Sequence, residues 1–286
     1  MTVKRKVGFI GLGNIGKPMA KHLVKGGFEA VYVYDVFEKP RLEVAKTGAL
    51  AVSDPKEMFV ACDHIGLCVR DGKDVESLLY GKDGMLEHCK PGTVIAIHST
   101  VHRHEILKWH AEGKTKNLVI IDAPITGGAG GAEQAKLCYM VGADADTFAR
   151  SKPVFETSGE KVIHAGEVGL GIILKLCNNL ITYAEFTAVA EASKLAKSCG
   201  LSENVLREIG KSNGIINEQM HTFISGRNGC LASCTPEQME QIFRPFASLG
   251  EKDLDCALTA AREAGIQLTA TELVRRLIAD VYLGRV

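Results

Sequence analysis

Residues 7–20 read VGFIGLGNIGKPMA, an apolar run, a glycine-rich turn and a helix start in immediate succession. Val7 to Ile10 is a short apolar run suited to a buried strand. Gly11-Leu12-Gly13-Asn14-Ile15-Gly16 follows it directly and runs into a helical segment, Pro18 to Lys25, that carries Met19, Ala20 and Leu23. The first glycine allows a tight turn, the second lets backbone approach a pyrophosphate, and the third lets helix pack on strand. A pyrophosphate held there would rest on the unpaired N–H groups of the helix start, including those around Asn14 and Ile15. A second apolar run, Val31 to Tyr34, ends at Asp35, nineteen residues after Gly16. An acid at that point accepts hydrogen bonds from an adenosine ribose and repels a 2′-phosphate. Val36 and Phe37 supply no arginine to receive such a phosphate, so NAD is the expected cofactor, while Lys39 and Arg41 leave NADP open.

Short β-rich runs recur at His64 to Val69, Val94 to Ile97, Leu118 to Ile121 and Lys161 to Ala165, with amphipathic stretches such as Lys73 to Tyr80 between them. Strands alternating with helices imply a parallel sheet covered on both faces. After Gly166 the texture changes. Leu170 to Ser198 has no proline and no strand-like alternation, and Gly200 follows as a C-terminal cap. Further on, Thr235-Pro236-Glu237-Gln238 has the threonine cap, first-turn proline and third-position Gln of a helix start. The expected architecture is α/β: an N-terminal Rossmann-type doubly wound parallel sheet over residues 1–166, then an all-α domain over 167–286 entered by a long helix.

The 286 residues are 46% hydrophobic and 24% charged, ordinary for a globular chain of two domains. With 34 basic and 34 acidic residues the formal charge is zero, which argues against nucleic acid or an anionic membrane as partner. The N-terminal apolar run is broken by Gly11 and Gly13 too early for a signal peptide, and no stretch approaches the roughly 18 apolar residues of a membrane helix. Nine cysteines lie scattered in apolar segments, which suits reduced thiols and a cytoplasmic protein. Cys230 and Cys234 lack a second ligand pair, and His98, His102 and His104 read as a solvated helix start, so no metal is expected.

Two further segments carry chemistry. In Gly169 to Thr182, at about 100° per residue, Lys175, Asn178, Asn179 and Thr182 share one narrow stripe of an otherwise apolar helix, with Gly171 one turn before the lysine. The glycine reads as room for a ligand. A lysine buried on such a stripe is pushed toward deprotonation by desolvation and becomes suited to proton transfer near neutral pH. The alternative is a lysine that snorkels to solvent above an asparagine ladder. In Asp122-Ala123-Pro124-Ile125-Thr126-Gly127-Gly128, proline stiffens the exit from a strand and the glycines leave backbone N–H groups open to an anion. The site lies at the strand edge where open α/β sheets bind ligands.

GFIGLGNIGKPMA at 8–20, DAPITGG at 122–128, GLGIILKLCNN at 169–179 and EKDLDCALTAAREAG at 251–265 together resemble the β-hydroxyacid dehydrogenase family, on its 3-hydroxyisobutyrate dehydrogenase-like side. The resemblance implies hydride transfer between a small 3-hydroxy acid and a nicotinamide, giving a semialdehyde or keto acid. It implies Lys175 as acid/base, Asn179 as substrate-orienting, and Thr126, Gly127 and Gly128 as the carboxylate site, with Thr126 where the family usually has serine. It also carries Cys68, Val69 and Thr100 to the cofactor cleft and Lys252 to the nicotinamide side. Decarboxylating relatives carry a glutamate where this chain has Thr182, so no decarboxylation is expected. A tartronate semialdehyde or glyoxylate-type reductase and a non-catalytic dinucleotide-binding regulator are the competing readings. The apolar breadth of the Leu170 to Ser198 helix suggests a homodimer or homotetramer.

Overall fold

The computed structural model describes residues 3–285. The chain forms two compact units, residues 1–175 and 176–286. In the first, strands β1 (Val3–Ile10), β2 (Phe28–Tyr34), β3 (Leu50–Ala51), β4 (His64–Leu67), β5 (Val94–Ile97) and β6 (Val119–Asp122) are joined by helices. These are α1 (Gly16–Lys25), α2 (Glu38–Ala45), α3 (Pro55–Ala61), α4 (Gly72–Tyr80), α5 (Met85–His88) and α6 (Arg103–Thr115). The six strands are parallel neighbours in the order 3-2-1-4-5-6, that of a doubly wound dinucleotide-binding sheet. Every residue of β4 and β5 is buried, as strands covered on both faces must be.

The sheet then departs from the all-parallel expectation. β7 (Ile125–Thr126) and β8 (Leu137–Gly142), separated by α7 (Gly128–Glu133), extend it, and β8 runs antiparallel to both β6 and β7. After α8 (Ala145–Phe155), β9 (Gly159–Gly166) pairs parallel with β8. The run Leu137 to Gly142 escapes a sequence reading because a six-residue apolar stretch has no period of its own.

α9 spans Leu170–Ser198, the bounds read from sequence, and Gly200 follows at φ +81°, the left-handed conformation that ends a helix. The division between units falls inside α9, after its first turns. The second unit is otherwise α10 (Glu203–Ser212), α11 (Glu218–Ser233), α12 (Pro236–Glu263) and α13 (Thr269–Leu283). Its core gathers Tyr183, Phe186, Phe243, Leu254, Ile278 and Val281. α12 begins as its sequence dictates: Thr235 Oγ1 accepts from Gln238 N, and the Gln238 side chain accepts from Thr235 N at 2.8 Å. Among the described residues no helix is long and apolar enough to cross a membrane.

Candidate active site

The shape of the loop after β1 is set by its three glycines. Gly11 adopts φ +91°, and a side chain there would collide with the Cys68 carbonyl. A side chain on Gly16 would strike the Gly11 carbonyl, so the third glycine is what lets α1 lie against its strand. A side chain on Gly13 would meet nothing within 4 Å, which leaves the backbone open to a ligand. Ile15, at the N-cap of α1, offers no side-chain cap and the first turn holds no acid, so the helix's positive end is unoccupied by acidic groups of its own.

Asp35 lies just past β2 and locks this loop. One carboxylate oxygen accepts from Leu12 N at 2.6 Å and the other from Phe37 N at 2.9 Å. Each oxygen keeps a further lone pair, enough for ribose hydroxyls. Cys68 and Val69 leave β4 instead of extending it: Cys68 N donates to Ile10 O, and Val69 N donates to Ser99 Oγ at 3.0 Å. Ser99 in turn donates to Val69 O at 2.7 Å, tying the exits of β4 and β5 together beside Thr100. The phosphate loop, Asp35, Cys68, Val69 and Thr100 therefore share the C-terminal edge of the sheet, where the strand order reverses between β1 and β4. These residues fit an NAD-type cofactor.

Asp35→Ala is expected to weaken NAD by about 10- to 100-fold, the loss of charge-assisted hydrogen bonds to the ribose and of the loop's own anchor. It should also narrow the gap between NAD and NADP. Parallel fluorescence titrations with the two reduced cofactors check it; a wild-type protein that prefers NADP contradicts it.

Asp122, at the end of β6, is the residue that sequence reasoning missed. It is 1% exposed, and its carboxylate accepts from Gly169 N at 2.8 Å and Ile172 N at 2.6 Å. It thus caps α9 from another element, across 47 and 50 residues of sequence. Burial pushes its pKa up to about 6, with the backbone N–H donors pulling the other way. Gly171 serves the same junction. A side chain there would collide with the Met140 carbonyl and come within 2.7 Å of Gly142 N and 2.9 Å of Asp122. The room read beside the lysine is therefore filled by β8, and the glycine exists for close packing.

On α9 Lys175 is half-buried, not fully buried as expected. Asn179, one turn on, is buried: its Nδ2 donates to Asp253 Oδ2 at 2.7 Å, and its Oδ1 accepts from Asn178 at 3.2 Å. Asp253, on α12 and 3% exposed, also accepts from the Tyr183 hydroxyl at 3.0 Å and lies 3.0 Å from the Lys252 ammonium. Asp253 was another omission, although an acid on the apolar face of a helix is a visible signal. Thr182 donates its hydroxyl to the Asn178 carbonyl at 3.0 Å. Lys252 is described within the second unit, as is Asn179.

Thr126 ends β7, paired to Cys138, and Gly127 and Gly128 follow at φ +124° and +62°, conformations that glycine adopts without strain. His102 stands at the start of α6, as read, its backbone N–H donating to Glu105 at 2.8 Å, whereas His98 is buried, bonds the Ala123 carbonyl at 2.8 Å and has its pKa lowered to about 4 by burial. Its place at the end of a buried strand, not the helix, decides that environment.

Residues 6–166 match the model of the NAD binding domain of 6-phosphogluconate dehydrogenase, and residues 169–283 that of the NAD-binding domain of NADP-dependent 3-hydroxyisobutyrate dehydrogenase. The chain belongs to the β-hydroxyacid dehydrogenase family. It is 34% identical over 285 residues to an NAD-dependent L-serine dehydrogenase of Pseudomonas aeruginosa, covering 98% of this chain and 95% of the relative. It is 35% identical over 277 residues to 2-(hydroxymethyl)glutarate dehydrogenase of Eubacterium barkeri, covering 95% and 87%. Among solved structures, 3-hydroxyisobutyrate dehydrogenase of Mycobacterium tuberculosis with L-serine superposes with a TM-score of 0.80 at 27% identity, over 97% of this chain and 94% of that one.

Proposed function

We propose that the protein oxidises a small 3-hydroxy acid with NAD, reversibly, with Lys175 as the group that takes and returns the hydroxyl proton. The observation that carries this reading is the stripe of α9: a lysine one turn before a buried asparagine, on a helix whose first turn is pinned by Asp122. Lys175 holds the hydroxyl, and Asn179, fixed by Asp253, donates or accepts at a set position. Thr126 and the backbone of Gly127 and Gly128 receive the carboxylate. Gly11, Gly13, Asn14, Ile15, Gly16 and Asp35 hold the dinucleotide, with Cys68, Val69 and Thr100 nearer its nicotinamide. When bound, that cofactor supplies the acceptor for the hydrogen of the carbinol carbon.

Relatives named for serine and for a hydroxymethyl diacid both act on a hydroxyl placed β to a carboxylate, which supports the same substrate class here. The hydroxyl of Thr182 is committed to a backbone carbonyl and is a far weaker acid than the glutamate that decarboxylating relatives carry there, so the reaction stops at the semialdehyde or ketone. A panel of small 3-hydroxy acids, read by reduced-nicotinamide absorbance with carbon dioxide assayed in parallel, tests this. NADH formation without matching carbon dioxide is expected; stoichiometric carbon dioxide lost on Thr182→Val contradicts it. Arg70, Arg227 and Arg244 are candidates to receive a second anionic group on the substrate, but Arg70 pairs with Asp74, Arg244 with Glu240, and Arg227 is buried against the Val281 carbonyl.

The same reading includes a homo-oligomer working in the cytoplasm. Nine free thiols suit a reducing compartment. Ile181 and Leu195 on α9 are 65% and 67% exposed, with Val205 and Ile209 of α10 also open, an apolar surface more typical of an interface than of a monomer. Light scattering at micromolar concentration should give a dimer or tetramer mass; a monomer mass would contradict it.

A further inference from the structure

At the opposite edge of the first unit's sheet from the phosphate loop lies a cavity of about 250 Å³. Arg5 of β1, Lys90 and Arg150 of α8 line it, together with Asp63, His64 and Ser151. The charges do not cancel. The Lys90 ammonium lies 2.6 Å from Asp63 and also donates to the Ala61 carbonyl at 3.1 Å, so that pair is internally satisfied. Neither guanidinium has a carboxylate within salt-bridge reach among the described residues; Arg5 donates to the Arg150 backbone carbonyl at 2.6 Å. Two positive charges remain over the cavity.

Two buried side chains in its wall are also unsatisfied. His64 is 2% exposed and Ser151 fully buried, yet neither ring nitrogen of His64 and not the hydroxyl of Ser151 has a hydrogen-bond partner. A buried serine in a helix ordinarily turns its hydroxyl onto the carbonyl one turn earlier, and Ser151 does not. Native proteins rarely leave such groups orphaned. Burial keeps His64 neutral, its pKa lowered to about 3, so it offers one N–H donor and no charge. Two forked guanidinium groups, a hydroxyl and an imidazole N–H form a donor set for a tetrahedral oxyanion of charge two.

We propose that this cavity is a second anion site, separate from the dinucleotide loop, that binds a phosphate-type dianion through Arg5, Arg150, Ser151 and His64. The ligand is either free phosphate or the phosphate of a small monoester.

Calorimetric titration of the full chain, saturated with NADH so that the glycine loop is filled, tests it with inorganic phosphate and with glycerol 3-phosphate, each against sodium chloride of equal ionic strength. Phosphate is expected to bind the NADH-saturated protein. Arg150→Gln, at an exposed position, should weaken it by about tenfold or more. Ser151→Ala should weaken it several-fold without lowering Tm in phosphate-free buffer, because the hydroxyl has no partner in the protein to lose. NADH affinity should be unchanged in both variants. Glycerol 3-phosphate binding at least tenfold tighter than phosphate assigns the monoester; equal or weaker binding assigns free phosphate. Binding that disappears once NADH is saturating, or that neither variant weakens, overturns the proposal, as does absence of binding above the chloride control.

Discussion

Lys175→Ala is expected to lower turnover of the true substrate by a factor on the order of 10² to 10⁴, with NAD affinity nearly unchanged. Asp35 is bonded to Leu12 N and Phe37 N within the dinucleotide loop itself, so deleting one half-buried side chain on α9 leaves that anchor intact. The variant keeps Asn179 on Asp253 and Asp122 on the helix start, so the loss falls on proton transfer and not on the fold. Steady-state rates beside an NADH titration separate the two effects. Turnover near that of wild type would remove Lys175 from the reaction; an equal loss of NADH binding would make it a structural residue.

Asp122→Ala should be the most destabilising single change near the site. It strips the acceptor from Gly169 N and Ile172 N in a buried setting, a cost of about 2–4 kcal/mol. For a protein of this size that lowers Tm by roughly 5–15 °C. Turnover should fall as well, because the first turn of α9 sets where Lys175 points, and small misplacements of a reacting group are costly. Differential scanning calorimetry checks the first effect, and an unchanged Tm would show that the cap contributes nothing.

The same carboxylate gives a pH signature. Its folded pKa of about 6 lies above the ordinary 3.8, so the folded chain holds a proton that the unfolded chain releases. The stability this contributes is present in full below about pH 4 and is lost as pH rises through about 6. Asp122→Asn, which cannot titrate, should flatten that part of the profile.

The parts legible in the sequence are those whose cause is local. The glycine loop and the bounds of α9 follow from periodicity, turn chemistry and caps that lie within a few residues of each other. So does the capping box of α12 at Thr235 and Gln238. The parts that escaped depend on partners far away in the chain. Asp122 reads as the start of a loop until α9 is seen to rest on it, and Gly171 reads as space until β8 is seen to fill it. Asp253 is one acid among several on α12 until Asn179 and Tyr183 converge on it. β3 and β7 have two residues each, too short for any period. No local pattern marks Arg227, which is buried with its guanidinium 6.0 Å over the Phe186 ring.

In the proposed reaction a 3-hydroxy acid surrenders the hydrogen on its carbinol carbon to NAD while Lys175 takes the hydroxyl proton. The most direct measurement is mass spectrometry of the reduced cofactor after turnover of a 3-hydroxy acid deuterated at that carbon. Deuterium is expected in the NADH formed by the wild-type protein, with only a trace of labelled product from Lys175→Ala with cofactor still bound. NADH without deuterium, or labelled NADH formed equally fast by both proteins, would contradict it.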